Sequence, residues 1–462
     1  MPAKGGEARA ESQAALSAVL HQRLTSDKLW GLVEETSAQS NLSDREKALV
    51  RELRRDVEKA RKIPEELATD LARTASLSQQ LWAKARARNA ASEFLPMLEK
   101  MVALKRRETE CLGYAETPYD ALLDQFEPGS KASTVKPVLE KLRDGLTLLA
   151  RRISEKSSAP KSSPWQEKSF PLDAQRRFNE RLLADVGFDL EAGRLDASAH
   201  PFTQGLSPRD VRLTTRYRET DWLYAIFSTL HEGGHGLYEQ GLPDEDWGTP
   251  LAEAVSLSVH ESQSRLWENL VGRTRAYWEH YLPVAKQYFG VALDGVTLVD
   301  VMLQVNAVRP SLIRVEADEV TYNLHIVLRF QLEEALFSGA LEVKGIADAW
   351  NSGMEKLLGV KPSTDAEGFL QDVHWSCGLY GYFPTYTMGN LYSAQIFNAM
   401  ERELGSLESK IRAGELLPMR EWLRNKIHRF GRQFPAADLI RNATGEDLKP
   451  EYFLNYLQRK YL

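Results

Sequence analysis

Residues 231–235 read His-Glu-Gly-Gly-His, two imidazoles and a carboxylate spaced to hold and use a metal ion. On a helix, His231 and His235 lie four residues apart, so both rings leave one face and can share a cation. Glu232 then stands beside the open coordination position, where a carboxylate can take a proton from water. Two neutral nitrogen donors favour one Zn²⁺ per subunit, and Co²⁺ or another divalent ion suits the same set. The chain carries only 9 histidines in 462 residues. The plainer alternative is a pair of surface histidines on an ordinary helix, and the surroundings must decide between the two.

A catalytic zinc site takes a third protein ligand and leaves one position open. Glu261, on the next predicted helix, is a candidate. His260 is its rival, and neighbours on a helix point about 100° apart, so only one of them can face the metal. Glu253 is a further rival, two turns earlier on the same predicted face. A ligating imidazole usually donates its other N–H to a carboxylate or carbonyl, a place that Asp318 or Glu253 could fill. Gly233 and Gly234 occupy the variable positions of the motif at a cost on the order of 2 kcal/mol relative to alanine. Without Cβ atoms they let a backbone or a neighbouring helix lie against this turn.

These residues need a frame, and composition bounds it. Hydrophobic residues make up 43% and charged residues 27% of the chain, as in soluble globular proteins. The length suggests two or three domains. A net charge of −6 gives no reason to expect nucleic acid or an anionic membrane as partner. Cys111 and Cys377 are the only cysteines, too isolated for a disulfide framework or thiolate site and consistent with a reducing cytoplasm. Cys377 reads as a small buried hydrophobe rather than a nucleophile. Residues 1–20 lack the apolar stretch of a signal peptide, and no run approaches the roughly 20 apolar residues of a membrane span. A cytoplasmic protein is expected.

From Asp44 to about Leu112 the chain is rich in strong helix formers, with Leu49, Leu53 and Val57 at four-residue spacing. Asn41 to Asp44 offers N-caps, and Pro64 suits the first turn of a following helix. Long, charged, antiparallel helices without chemistry are predicted there. Ser154 to Ser169 reads as a loop, and Asp173–Asp185 as helix. Residues 200–217 alternate like a short hairpin or small sheet. Helices follow at Thr220–Gln240, stopped by Gly241 and Pro243, and at Pro250–Val271. Helical periodicity continues to the end, without repeats or low-complexity tracts.

Six short stretches then occur in order: His200-Pro201-Phe202; Asp210-Val211-Arg212-Leu213-Thr214; His231-Glu232-Gly233-Gly234-His235; His260-Glu261-Ser262-Gln263; Ile313-Arg314-Val315-Glu316-Ala317-Asp318; and Gly368-Phe369-Leu370-Gln371-Asp372-Val373-His374-Trp375. With them the chain resembles the thermostable carboxypeptidase (carboxypeptidase Taq-like) family of zinc metallopeptidases, a His-Glu-x-x-His branch with a glutamate third ligand. The resemblance implies His231, His235 and Glu261 as metal ligands. It implies a mainly α, two-lobed, neurolysin-like subunit with a long active-site groove and a very small antiparallel β-sheet. Residues 1–462 would form one peptidase domain, with an N-terminal helical lid or hairpin at 1–153 and a catalytic part at 170–462. The implied activity is release of single C-terminal amino acids of broad type, poor at proline, from peptides with a free C-terminus. The implied assembly is a homodimer.

On this reading Glu232 is the general base that passes its proton to the leaving amine. His374 and Tyr382 are the donors expected at the oxyanion, with Tyr386 as an alternative. An exopeptidase must also hold a free carboxylate, which arginine does with two parallel hydrogen bonds. Arg314 is the first choice and Arg212 the second. Asp318, four residues on along a probable helix, would orient Arg314, and Asp210 would pair with Arg212. Gln371 and Asp372 join the substrate-binding set through their signature, and His200 either touches substrate or caps a turn. The rival readings are a zinc oligopeptidase or endopeptidase, and an inert helical scaffold that merely binds metal.

Overall fold

The computed structural model describes residues 3–156 and 162–462, so the Ser157–Lys161 part of the expected loop lies outside the described residues. Helices dominate. In the N-terminal region Asp44–Lys62, Glu65–Arg88 and Ala91–Leu112 follow one another almost without linkers. Ser43 opens the first with a capping box, accepting the Glu46 amide while the Glu46 carboxylate takes the Ser43 amide at 2.8 Å. Val57 is fully buried on the predicted stripe. Pro64 stands at the N-cap of the second helix, just outside its first turn. Helices Gly6–Leu24 and Glu65–Arg88 pair antiparallel, since Glu11 meets Arg73 and Gln22 meets Glu65.

The chain forms two compact units. The first comprises Met1–Thr147, Arg309–Ala317 and Thr321–Thr385; the second comprises Leu148–Val308, Asp318–Val320 and Tyr386–Leu462. All three expected metal ligands belong to the second. Its core gathers around Trp222, fully buried at the start of the helix Trp222–Gly241. Its indole meets the rings of Trp165, Phe170, Trp278 and Phe289 at centroid distances of 5.8, 5.7, 5.6 and 5.5 Å. This aromatic cluster anchors the helix that carries the motif.

Strands β1 (Gly193–Ala197), β2 (Phe202–Ser207) and β3 (Asp210–Thr215) form one sheet in the order β1-β3-β2. The sheet is mixed rather than wholly antiparallel. Strand β2 pairs antiparallel with β3, but β1 pairs with β3 in parallel. The chain reverses once between β1 and β2 and again at Pro208-Arg209, so β3 runs in the direction of β1 and enters between its partners. Gly193–Ala197 carries little β-branched or aromatic character, which is why composition did not mark it as a strand. Alternation turns Leu195, Leu213 and Thr203 to one face and Arg194, Arg212 and Gln204 to the other.

The motif helix begins at Asp221, whose carboxylate accepts the Tyr224 amide at 3.2 Å, and ends at Gly241 before Pro243. The helix expected over 250–271 is three pieces. Pro250–Ala252 is a 3₁₀ turn, Glu253 is extended, and the α-helix Leu257–Arg265 starts at Ser256, which caps the Val259 amide. Leu266–Val271 then widens into a π-turn.

The motif helix and helix 257–265 touch backbone to backbone at Gly234. A Cβ there would stand 2.5 Å from the Gln263 carbonyl oxygen and 2.6 Å from the Ser264 Cα. Gly234→Ala would raise intrinsic helix propensity, yet it should lower stability by about 1–3 kcal/mol because the helices must part. A urea-unfolding midpoint equal to or above that of the parent chain would contradict this contact.

Candidate functional site

The motif helix and helix 257–265 bring the ligating atoms of His231, His235 and Glu261 within 4.8 Å of one another. The Glu261 Oε2 lies 3.7 Å from His231 Nε2 and 3.3 Å from His235 Nε2. Two imidazole nitrogens and a carboxylate oxygen converging in this way fit a divalent cation. Glu261 is only 5% exposed and is held from its own helix, where Arg265 Nε donates to Oε1 at 2.6 Å and Ser264 Oγ to Oε2 at 3.1 Å. Burial alone would raise its pKa, but Arg265 and the two imidazoles hold it well below the usual carboxylate range.

Each imidazole has a different support. Glu268, in the π-turn, sits 2.9 Å from His231 Nδ1 and is flanked by Arg265 and Arg273, each at 3.2 Å. Burial opposes its charge, yet Arg265, His231 and Arg273 keep Glu268 far below its ordinary pKa. Burial pushes His231 down, but Glu261 and Glu268 carry it above the ordinary value. His235 is moved the other way, first by burial and then by His260. His260 faces the other side of that ring. Its Nδ1 meets His235 Nδ1 and its Nε2 meets Glu239 Oε1 at 2.7 Å, so both ring nitrogens are engaged behind His235, apart from the three converging groups.

Neither carboxylate expected behind the ligands takes that place. Glu253 lies outside helix 257–265, exposed and paired with Arg432 at 2.7 Å, so it is neither ligand nor support. Asp318 receives the Val320 amide at 2.9 Å in a turn. Glu232 is 6% exposed, and Thr203 Oγ1 donates to its Oε2 at 2.7 Å. Thr203 was not anticipated, although it directly follows the His200-Pro201-Phe202 stretch. Nor was Glu268, which lies two turns beyond Glu261.

The other predicted residues scatter. Arg212 pairs with Asp210 through two bonds of 2.9 and 2.8 Å, as expected. It lies on the outer sheet face, opposite Thr203, so the sheet turns its guanidinium away from Glu232. His200 is exposed in the β1–β2 turn, its ring 2.8 Å from the Pro201 carbonyl oxygen. Arg314 stands in a 3₁₀ turn rather than on a helix with Asp318. Its guanidinium binds Asp372 through Nε and Nη2 at 3.0 and 2.8 Å and Tyr322 through Nη1 at 2.9 Å.

Asp372 also takes Arg329 Nε at 2.7 Å, and burial lowers Arg329 to about 10 despite that carboxylate. Gln371 accepts the Arg314 amide and Arg329 Nη2, both at 2.9 Å, and donates to the Leu312 and Glu367 carbonyls. Gln371 and Asp372 are thus the joints of a buried polar knot in the first unit. His374 is buried against Phe383 and Tyr382, with ring centroids 4.4 and 5.3 Å away. Tyr382 also packs edge-on against Phe126, and Tyr386, in the second unit, is half-buried. Glu333, also unanticipated, secures the segment that follows His374. It accepts from Trp375 Nε1 at 2.7 Å, the Gly381 amide at 2.9 Å and Tyr119 at 2.7 Å.

Comparison with known proteins extends these observations over the whole chain. A family model described as carboxypeptidase Taq (M32) metallopeptidase matches residues 1–461. Thermostable carboxypeptidase 1 of Thermus thermophilus is 48% identical over 475 residues, spanning 100% of this chain and 92% of that protein. Thermostable carboxypeptidase 1 of Pyrococcus furiosus is 42% identical, spanning 100% and 93%. The crystal structure of an M32 carboxypeptidase from Deinococcus radiodurans R1 superposes with a TM-score of 0.95 at 39% identity, covering 100% of this chain and 93% of that one.

Burial raises Glu333 to about 7 despite its three donors. A carboxyl raised in the folded state stabilises fully below its ordinary value of 4.5, and that contribution is lost as pH rises through about 7. Across this window the parent chain should lose on the order of 3 kcal/mol relative to Glu333→Gln. Denaturation curves of the two proteins at pH 4.5 and 8 check this, and a stability difference that does not change with pH would contradict it.

Proposed function

Because the chain belongs to the carboxypeptidase Taq (M32) metallopeptidase family, it is a metallocarboxypeptidase, and we propose that it works with Zn²⁺ held by His231, His235 and Glu261. On this proposal it removes single C-terminal amino acids of broad type and acts poorly at proline. The observation that carries it is the convergence of three ligating atoms beside a glutamate already oriented by a hydroxyl. Held by those three residues, zinc would supply the Lewis acidity that makes water available as hydroxide near pH 7 and polarises a carbonyl.

Glu232 takes the proton of the attacking water and returns it to the leaving amine. Thr203 engages Oε2, which leaves Oε1 as the atom that receives the proton. His374 and Tyr382, or Tyr386 in place of Tyr382, are the proposed donors to the developing oxyanion. Arg314 is the proposed receptor of the free C-terminal carboxylate. Its clamp by Asp372 and Tyr322 supports this role, because a fork fixed in advance loses less entropy on binding. The exposure of Arg212 on the outer face of the sheet makes it the weaker choice.

Residues 1–462 act on this reading as one peptidase domain in a cytoplasmic homodimer. Two isolated cysteines support the reducing compartment, and the family resemblance supports the dimer.

Glu232→Gln should keep its zinc and lose hydrolysis by about 10²–10⁴-fold, read by metal analysis and peptide assay on one preparation. A peptide with a free C-terminus should lose residues one at a time, while its C-terminally amidated form resists. Equal cleavage of both forms would assign the chain to endopeptidases, and full activity of the glutamine variant would remove Glu232 from the chemistry.

A further inference from the structure

The stretch His260-Glu261-Ser262-Gln263 contributes one ligand, yet its histidine has no role in the chemistry described so far. We propose that His260 and Glu239 form a positioning pair that fixes the tautomer and orientation of His235. This rests on the reading of His231, His235 and Glu261 as a metal site. His235 points Nε2 at Glu261 and Nδ1 at His260 Nδ1, with 2.5 Å between the two nitrogens. The second nitrogen of His260 lies 2.7 Å from Glu239 Oε1. The three side chains form a single file, each largely buried.

One arrangement of hydrogens satisfies that file. A bare Nε2 is needed on His235 to bind a cation, so its hydrogen sits on Nδ1 and is donated to His260. Since His260 accepts at Nδ1, its own hydrogen is on Nε2, where the Glu239 carboxylate accepts it. Neither ring has an alternative while Glu239 is ionised. Strand β2 presses the far end of the file, for a Cβ at Gly205 would stand 2.3 Å from Glu239 Oε2. The Tyr238 ring lies 5.2 Å from that of His260 and limits its tilt. Helix 257–265 therefore supplies one ligand, Glu261, and aims another, His235. The support of His231 is different in kind, an anionic carboxylate between two arginines.

The test is zinc affinity of the full chain, measured by competition with a chromophoric chelator, alongside thermal unfolding of the metal-free proteins. His260→Ala should weaken zinc binding about 10–100-fold. His260→Asn, whose Oδ1 can take the His235 N–H, should recover most of that loss. Glu239→Ala, which frees His260 to adopt the other tautomer, should weaken zinc about tenfold and replaces His260→Ala if that variant does not fold. Zinc binding by His260→Ala or Glu239→Ala within about threefold of the parent overturns the inference, as does equal weakening by alanine and asparagine at 260, which would assign the effect to packing. A parent chain that takes up no zinc overturns the metal reading as well, so the two failures are distinguishable.

Discussion

Two helices of the second unit meet at a glycine, and the convergence of His231, His235 and Glu261 follows from that meeting. Gly234 lets helix 222–241 lie against the backbone of Gln263 and Ser264. The contact sets Glu261 opposite the two imidazoles that leave the motif helix beside it. A second glycine closes Glu261 in from another element, for a Cβ at Gly389, on the helix Phe383–Leu404, would stand 2.7 Å from the Glu261 Cβ. Both glycines remove methyl groups where backbone and ligand must touch. The motif helix gives up propensity for this closeness, and the Trp222 cluster at its N-terminus offsets part of that loss through buried aromatic area.

Once the ligands are adjacent, charge must be managed. Glu261 is buried and Glu268 only partly exposed, and Arg265 serves both carboxylates from a single side chain. Arg273 completes the neutralisation of Glu268 and donates to the Val305 carbonyl, tying the π-turn to the helix Leu298–Val305. The π-turn matters here because it carries Glu268 to His231. In the first unit the same principle recurs: Asp372 sits between two buried arginines, and Gln371 accepts from the Arg314 amide and from Arg329 Nη2. Removing one member of such a set would strand buried charge.

The sequence was most legible where chemistry depends on local spacing. Positions 231, 232 and 235 share a helix turn, so period and residue type were enough to foresee the two imidazoles and the carboxylate. The choice among Glu261, His260 and Glu253 required the boundary of the second helix. That helix starts only at Leu257, capped by Ser256, which leaves Glu253 in extended chain, and rotation along the helix separates His260 from Glu261. Thr203, Glu239, Glu268, Arg329 and Glu333 escaped because the partners that give them their roles lie on other elements. Strand β1 escaped because Gly-Arg-Leu-Asp-Ala reads as loop, and it becomes a strand only beside β3. Arg314, foreseen on a helix with Asp318, stands instead in a 3₁₀ turn, where Asp372 holds its guanidinium from a distant segment.

The central claim is that the contact at Gly234 assembles one metal site from His231, His235 and Glu261. Anomalous diffraction at the zinc edge, from crystals grown with one equivalent of zinc, tests it most directly. One strong peak per chain is expected, with His231 Nε2, His235 Nε2 and a Glu261 oxygen each about 2.0–2.2 Å away. A peak bound by His260 in place of Glu261, or none between the two helices, would contradict it.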